Sequence, residues 1–508
     1  MAETSLACLV VVSGRVTPPC YPFVAPPALG APCAGAAIPR SDPARRSDRN
    51  GGFRPNDGAD PNDGARPLRR GDGEPSRLER VNSDPVVPRL RATTRALEEA
   101  PDLVALADPD EPLLWLRGDR GCVGIGEALR LTFSGPNRFG DAAARWREIA
   151  AEAEIDDPVD LPGTGLVALG AFAFAADSSV ESVLIVPRLL VARHRGSAWI
   201  TEVRVLGDDS ERDPSPSIPQ PQQSPMRAWP GTAFEPDTAS VDAYLKGVRA
   251  AGERIGRGDV EKVVLARQVR GELPRGADLR TPLRRLADRY LDCWTFAVDG
   301  LIGASPETLI RSTGGAVSAR VLAGTRARHA EDSARDARAR DELLTSAKEQ
   351  HEHAFAVQSV VTALSPHVRE LRTSEDPFPL RLPNVWHLAT DLGAALDERS
   401  SAIELVGALH PTAAVAGTPT SAAVELISEL EPFDRGRYSG AVGWIDAAGD
   451  GEWVIALRCA QLGAPDPATG ARAITASAGG GIVDGSDPAH ELGETVSKLR
   501  PITEAFAG

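Results

Sequence analysis

The sequence predicts an α+β fold built around large antiparallel β-sheets. Alternating apolar patterns typical of strands and longer 3.6-residue patterns typical of helices are mixed along the chain, rather than strictly alternating as in parallel βαβ proteins. Hydrophobic residues make up 42% and charged residues 25% of the 508 residues. This is an ordinary globular composition, which excludes a collagen, a coiled-coil rod or a wholly disordered chain.

The patterning divides the chain into three parts. Residues 1–90 are rich in Pro, Gly, Arg and Asp and are predicted to be a disordered tail, because such a segment buries too little apolar surface to offset chain entropy. Residues 91–236 are predicted to form the N-terminal part of the fold, with a Pro-rich loop at 208–234. Residues 237–505 have the densest periodic patterning and contain the candidate site residues.

Individual elements follow from local patterns and from cap residues. Strands are predicted at 113–116, 183–186 (ended by Pro187), 261–269, 294–298, 307–311, 316–321 and 453–459. Helices are predicted at 140–153, 241–257 (capped by Asp237 or Ser240), 332–371 (broken near Pro366) and from the Asp487 cap and Pro488 to 499.

Charge and cysteine usage limit the compartment and the partners. The net charge is −15, which disfavours a dedicated nucleic-acid or anionic-membrane binder but allows a local cationic pocket. No apolar run approaches the roughly 18 residues that a membrane helix needs. Six scattered cysteines without a CxxC pair indicate reduced thiols in a cytoplasm rather than a disulfide framework.

Lysine is rare, since the chain has only Lys246, Lys262, Lys348 and Lys498. Lys262 stands at the mouth of an otherwise apolar strand, where burial lowers a lysine pKa and allows it to act as a general base. An ordinary strand-end lysine that reaches water is the alternative. Glu307 follows a tight turn, and is either a general acid or an exposed carboxylate.

Two acidic pairs have helical spacing. Glu349 and Glu352, and likewise Glu491 and Glu494, are three residues apart, so each pair shares a helix face. If the two faces meet, the carboxylates need a cation between them, and an all-oxygen ligand set favours Mg²⁺. Two solvated surface pairs are the alternative.

The segment before the last helix suggests a place for a carboxylate substrate. Glycines 479–481 are predicted to form a loop that lets backbone N–H groups approach an anion, and Lys498 lies one turn after Glu494. A glycine turn followed by a simple ion pair is equally allowed. His387 lies in an apolar context, where a hydrogen-bonded core histidine is the alternative to a catalytic one.

Eight motifs then occur in an order that resembles the chorismate-utilising enzymes, most closely isochorismate synthase. They are Glu-Lys-Val-Val-Leu-Ala-Arg (261–267), Gly-Ala-Ser-Pro-Glu-Thr-Leu (303–309), Leu-Ala-Gly-Thr-Arg (322–326), Lys-Glu-Gln-His-Glu-His (348–353), Trp-His-Leu-Ala-Thr (386–390), His-Pro-Thr (410–412), Arg-Gly-Arg-Tyr-Ser-Gly (435–440) and Gly-Gly-Ile-Val (480–483). The resemblance implies one domain of two antiparallel sheets forming a sandwich, with helices outside.

The resemblance also implies roles for single residues. Lys262 matches the base that activates water, Glu307 the acid that protonates the leaving C4 hydroxyl of chorismate, and His387 a histidine beside the ring. The implied Mg²⁺ ligands are Glu352 and Glu494, with Glu349 and Glu491 around them. The implied substrate-binding residues are Gly324, Thr325, Ala414, Val415, Tyr438, Arg458, Gly479 and Lys498.

The implied activity is Mg²⁺-dependent conversion of chorismate to isochorismate, for menaquinone or siderophore biosynthesis, by a monomer. Ala323 stands where aminodeoxychorismate synthases have a lysine nucleophile, and Lys262 is a residue that anthranilate synthases lack, so both of those activities are disfavoured. A salicylate synthase, which goes on to eliminate pyruvate, is the alternative enzyme. An inactive chorismate-binding relative is the non-enzyme alternative, although the catalytic positions are all present.

Overall fold

The computed structural model describes residues 87–207, 223–236, 238–329, 331–381 and 385–508. The helices are Leu103–Leu106 (α1), Arg138–Glu152 (α2), Thr238–Gly256 (α3), Arg280–Arg289 (α4), Ser333–Thr345 (α5), Ala347–Leu364 (α6), Ala402–Leu409 (α7), Thr420–Leu430 (α8) and Pro488–Phe506 (α9).

Strands occur throughout the described chain, including its first part. That part contains Leu90–Leu97 (β1), Leu113–Arg117 (β2), Arg120–Phe133 (β3), Glu154–Asp156 (β4), Val167–Ala171 (β5), Ser182–His194 (β6) and Ser197–Val205 (β7). The second part contains Lys262–Leu273 (β8), Trp294–Val298 (β9), Leu301–Ser305 (β10), Thr308–Thr313 (β11), Ala316–Ala327 (β12), Val368–Thr373 (β13), Phe378–Arg381 (β14), Val385–Leu396 (β15), Gly417–Thr418 (β16), Ala441–Asp446 (β17), Gly451–Ile455 (β18), Cys459–Pro465 (β19) and Arg472–Ile482 (β20).

These strands form two antiparallel sheets that share β6. One edge of β6 pairs with β3, and this sheet continues through β2, β9, β10, β19, β20 and β8. The other edge of β6 pairs with β5, and the second sheet continues through β17, β18, β11, β12 and β15. Only β1 and β4 pair in parallel among the described strands. The predicted α+β fold with large antiparallel sheets is confirmed, and the two sheets are joined into one hydrogen-bonded network.

The two sheets pack face to face around aromatic side chains. Trp115 of β2 and Trp294 of β9 stack with ring centroids 4.6 Å apart, in a cluster that also contains Val442 and Val454 of the second sheet. The Trp294 indole N–H donates to Glu452 of β18 over 3.1 Å, which ties the two sheets together. The sandwich implied by the resemblance therefore has a core contributed by both sheets.

Helices cover the outer faces. Residues of α4 and α9, such as Leu286 and Leu499, pack with Ile302 and Ile474 of the first sheet. Residues of α2 and α7, such as Trp146 and Leu405, pack with the second sheet. Burial of these apolar helix faces holds the sandwich closed on both sides.

Several predicted boundaries need correction. Pro187 does not end a strand, because β6 runs through it to His194 and the opposing strand is irregular between Glu127 and Leu129. A proline is tolerated at such a bulge since no regular ladder hydrogen bond is lost. The predicted long helix at 332–371 is two helices, because Ser346 ends α5 and caps α6 by accepting from the Glu349 N–H.

Two more corrections concern the end of the chain. The strand predicted at 453–459 is interrupted between β18 and β19. The last helix begins at the predicted Asp487 cap but continues beyond residue 499 to Phe506, through Pro501. The Asp487 side chain accepts from the His490 N–H over 2.8 Å.

Residues 1–86 of the predicted tail at 1–90 lie outside the described residues. Asp237, one of the two predicted caps of α3, also lies outside them. The predicted loop at 208–234 is described from residue 223. This segment is mostly exposed but is tied to the body: the Trp229 indole donates to the Ala507 carbonyl over 3.0 Å, and the Thr232 N–H donates to the Phe506 carbonyl over 2.7 Å.

The strands of residues 91–205 pair directly with those of the second part, β2 with β9 and β5 with β17. Within the described part of the chain, no helix has both the length and the apolar composition needed to cross a bilayer.

Candidate active site

Lys262 begins β8 and is only partly exposed. Its side chain crosses Gly481 of the neighbouring β20, where an added Cβ would lie 2.8 Å from the lysine Cε. Burial lowers the Lys262 pKa, and the charge of Lys498 lowers it further, whereas Glu307, Glu352 and Glu494 raise it. An amine in this position is uncharged more often near neutral pH than an exposed lysine.

Glu307 lies in the turn between β10 and β11. The turn is held by the Ser305 hydroxyl, which donates to the Ile455 carbonyl over 2.6 Å and accepts from the Glu307 N–H over 3.2 Å. Burial raises the pKa of the Glu307 carboxyl, while the charges of Lys262, Arg458 and Lys498 lower it. Lys262 and Glu307 are therefore neighbours whose pKa values are displaced in opposite directions by burial, as an acid–base pair requires.

Arg458 links β18 to β19, and its backbone has a φ of +48°. This left-handed conformation is unfavourable for a residue with a Cβ, and such residues cluster at functional sites. The Arg458 carbonyl accepts from the Ala304 N–H over 3.1 Å, and its charge lowers the Glu307 pKa. A guanidinium near Glu307 suits recognition of an anionic substrate.

The predicted glycine loop at 479–481 is wrong, because these residues belong to β20 and pair with residues 264–266 of β8. The three glycines are therefore part of a strand rather than a loop. Glycine is needed because the strands and side chains approach closely: an added Cβ on Gly479 would lie 2.6 Å from the Leu265 carbonyl. The Gly479 carbonyl instead accepts from Lys498 Nζ over 2.8 Å, and Lys498 also pairs with Glu494.

The first acidic pair lies on α6. Glu349 faces β12, since an added Cβ on Gly324 would lie 3.2 Å from Glu349 Oε2, and Arg326 lies 3.8 Å from Glu349 Oε1. Glu352 is more exposed, and its Oε1 lies 3.6 Å from Lys348 Nζ. Each carboxylate of this pair thus has a cationic neighbour.

The second acidic pair lies on α9. Glu494 pairs with Lys498, whereas Glu491 is buried and its Oε2 has no hydrogen-bond partner among the described residues. Glu352 and Glu494 both raise the Lys262 pKa, so both helices bring a carboxylate towards this amine. Such a carboxylate set, with one buried oxygen left over, fits Mg²⁺ in its donor chemistry.

The carboxylates suit Mg²⁺ as donor groups, but their positions do not form a complete metal site among the described residues. In the described part of the chain, no three or more His, Cys, Asp or Glu side chains are arranged to hold a metal ion. The carboxylates of Glu352 and Glu494 are paired with lysines instead. A metal bound there would have to take these oxygens from Lys348 and Lys498.

His387 lies on β15 opposite β12, and its Nδ1 is 3.3 Å from the Gly324 carbonyl oxygen. Gly324 has a φ of +77° where the register of the two strands shifts. Burial lowers the His387 pKa, and the charge of Lys262 lowers it further, so the imidazole favours its neutral form. The side chain of Thr325, another predicted binding residue, lies outside what the structure describes.

The remaining predicted pocket residues are placed differently. Ala414 is exposed on the turn after His410 and Pro411, whereas Val415 is buried in the hydrophobic core. Tyr438 is buried in the core between the sheets, and burial raises its pKa to about 12. Both Val415 and Tyr438 are therefore largely shielded from solvent in this structure.

Two buried residues beside Glu491 had not been predicted as site residues. Tyr244 on α3 and Arg267 on β8 occupy positions that fit ordinary core and strand patterns. Their sequence spacing gives no signal of a site. The proximity of Tyr244 and Arg267 to α9 depends on the packing of α3, α9 and β20 in the folded protein.

The comparisons identify the family. Residues 106–507 match the family model described as chorismate binding enzyme, and the chain belongs to this family. Isochorismate synthase DhbC of Bacillus subtilis is 40% identical over 275 residues, which are 52% of this chain and 67% of that protein. MenF of Mycobacterium tuberculosis is 38% identical over 358 residues, which are 68% of this chain and 87% of that protein.

A solved structure shows the same fold. The menaquinone-specific isochorismate synthase MenF of Escherichia coli superposes with a TM-score of 0.63 at 25% identity, and the match covers 83% of this chain and 96% of that one. The resemblance that the eight sequence motifs indicate is therefore confirmed.

Proposed function

We propose that this chain is an isochorismate synthase that adds water at C2 of chorismate and expels the C4 hydroxyl. The observation that carries the proposal is the neighbouring pair of Lys262 and Glu307, whose pKa values burial displaces in opposite directions. Membership of the chorismate-binding family and the similarity to DhbC and MenF support the choice of substrate.

Lys262 takes the base role. Its uncharged amine accepts a proton from a water molecule as the water oxygen bonds to C2. Burial lowers the Lys262 pKa, which makes the uncharged form more available than in an exposed lysine. Lys246 and Lys348 are exposed and Lys498 pairs with Glu494, which leaves Lys262 as the candidate base.

Glu307 takes the acid role. The protonated carboxyl gives its proton to the C4 oxygen as the C4–O bond breaks and the ring double bonds shift, and a water molecule leaves. Water is consumed at C2 and released at C4, so the reaction is an isomerisation. The two residues end with exchanged protonation states, and proton transfer through solvent returns them to the starting state.

Mg²⁺ would be held by Glu352 and Glu494, with Glu349 and Glu491 in the surrounding shell. The ion would neutralise a substrate carboxylate and orient the ring. The buried, unpartnered oxygen of Glu491 and the all-carboxylate donor set support this assignment.

Arg458 and Lys498 would bind the substrate carboxylates, because both contribute positive charge next to Glu307. Gly479 would act through the carbonyl that holds Lys498. His387, neutral and fixed against Gly324, would lie beside the ring. Thr325, Ala414, Val415 and Tyr438 complete the proposed binding set.

A product assay tests the proposal. Purified protein is incubated with chorismate and Mg²⁺, and the products are separated by liquid chromatography and identified by mass and NMR. Isochorismate is the expected product. Salicylate and pyruvate as main products would replace the proposal by a salicylate synthase, and unchanged chorismate would indicate the inactive relative.

We further propose that the enzyme is a cytoplasmic monomer, as the family resemblance implies. The described cysteines Cys122, Cys293 and Cys459 are free thiols, which fits a reducing compartment. Light scattering on the purified chain measures the mass in solution, and a dimer mass would contradict the monomer.

A further inference from the structure

Three buried polar side chains lie where α3, β8, β20 and α9 pack together. Tyr244, Arg267 and Glu491 are 4%, 3% and 6% exposed. Each has one polar atom without a hydrogen-bond partner among the described residues: the Tyr244 hydroxyl, Arg267 Nη1 and Glu491 Oε2. Buried polar atoms are nearly always paired, so three unpaired atoms at one place point to a common function.

Gly480 brings two of these atoms together. An added Cβ on Gly480 would lie 3.0 Å from Glu491 Oε2 and 3.4 Å from the Tyr244 hydroxyl oxygen. Both oxygens therefore face the same side of this glycine. A larger residue there would push into the space between the phenol and the carboxylate.

Arg267 reaches the same cluster along α9. Its Nε donates to the Thr495 hydroxyl over 2.7 Å, and that hydroxyl donates in turn to the Leu492 carbonyl over 2.7 Å. Thr495 is one turn after Glu491, so the guanidinium is anchored on the helix face that carries the carboxylate. The free Nη1 remains available as a donor.

The chemistry of the three groups is complementary. The carboxylate accepts hydrogen bonds, and the guanidinium only donates them. The Tyr244 phenol carries an O–H group and therefore also serves as a donor. Tyr244 thus offers a donor on the side of Gly480 that carries the Glu491 carboxylate, and Arg267 offers a second donor on the same face of α9.

We propose that Tyr244 and Arg267 are positioning residues that orient the Glu491 carboxylate towards Mg²⁺ by hydrogen bonds, made directly or through one buried water molecule. The inference rests on the proposed function, because it assigns a purpose to the carboxylate shell of that site. Partners of this kind fix the direction of a metal-site carboxylate and raise metal affinity.

Tyr244→Phe tests the proposal, because it removes one oxygen and keeps the ring in the core. Calorimetric titration of the free protein with MgCl₂ measures the dissociation constant without turnover. We expect the variant to bind Mg²⁺ about 10- to 100-fold more weakly than the wild type, with little change in melting temperature. Tyr290→Phe, at the end of α4, is the matched control and should bind Mg²⁺ like the wild type.

A second measurement separates a positioning role from a packing role. If Tyr244 acts through Glu491, adding Tyr244→Phe to Glu491→Gln should cause no further loss of Mg²⁺ affinity, whereas independent effects would add. A Tyr244→Phe variant with wild-type Mg²⁺ affinity and a lowered melting temperature would overturn the proposal, as would additive losses in the double variant.

The two proposals fail differently. If the wild type makes isochorismate and binds Mg²⁺ but Tyr244→Phe changes neither the affinity nor the Mg²⁺ requirement, only the positioning role is refuted. If the wild type binds no Mg²⁺, the metal assignment fails and the positioning role fails with it. If chorismate is not converted, the proposed function itself is refuted.

Discussion

Replacing Lys262 with Met removes the proposed base while keeping a side chain of similar length across Gly481. General acid–base catalysis typically contributes about 10²- to 10⁴-fold to a rate. A loss of that size corresponds to about 3–5 kcal/mol in the activation barrier. We therefore expect kcat for isochorismate formation to fall by about 10²-fold or more.

The fold should tolerate this change. Burial disfavours the charged amine, so a protonated Lys262 lowers the folding stability of the wild type. This loss of stability is largest below the folded pKa of Lys262 and becomes smaller as the pH rises towards 10.5. Methionine has no such cost. The variant should therefore melt at or above the wild-type temperature at pH 7, and the difference should decrease at higher pH.

The assay measures initial rates of isochorismate formation by chromatography at saturating chorismate and Mg²⁺. Lys246→Met is the matched control, because Lys246 is exposed on α3. Wild-type activity should rise with pH through the lowered pKa of Lys262, and this rising limb should be missing from the residual activity of the variant. Retention of more than a third of the wild-type kcat, or an unchanged rising limb, would refute the base assignment.

Three further predictions follow from the site and the core. Because burial raises the Glu307 pKa, the folded protein keeps this proton above pH 4.5 and loses stability as the pH rises through the folded value. Glu307→Gln should therefore melt at a higher temperature than the wild type at pH 8 but not near pH 4, as calorimetry would show; equal melting temperatures at pH 8 would contradict the shift. Glu494→Gln should raise the half-saturating Mg²⁺ concentration for activity about tenfold or more, whereas Glu504→Gln on the same helix should not; equal Mg²⁺ curves would contradict the ligand assignment. Glu431→Leu removes the carboxylate that lies 2.6 Å from the buried guanidinium of Arg435. This change should lower the free energy of unfolding, measured by urea titration, by about 3–5 kcal/mol. A loss below about 1 kcal/mol would count against a buried pair.

The sequence predicted the fold class because strand and helix periodicities are local properties. Most of the elements that it predicted begin within a few residues of observed ones, whereas others, such as β1, β3 and β7, have no predicted counterpart. It failed where a boundary depends on tertiary context. Pro187 is accommodated by the bulge in β3, which no local pattern announces. Ser346 was overlooked as a cap because the helical pattern continues on both sides of it.

The site residues found from sequence carry distinctive motifs, and they include Lys262 and Glu307. The structure adds what motifs do not contain. The glycines at 479–481 belong to a strand and allow its close approach to β8, which the glycine run alone does not reveal because it depends on the partner strand. Tyr244 and Arg267 escaped notice because a buried tyrosine and a strand arginine are common, and only their unpaired atoms distinguish them.

The shared strand β6 has a consequence for any shortened version of the protein. All of the proposed catalytic and metal residues lie after residue 261, yet β9 and β17 depend on β2 and β5 from the first part for their hydrogen bonds. A chain starting at residue 237 would expose two sheet edges and half of the inter-sheet core, a combination that promotes aggregation. The motifs that define the chemistry therefore cannot be excised from the scaffold that precedes them.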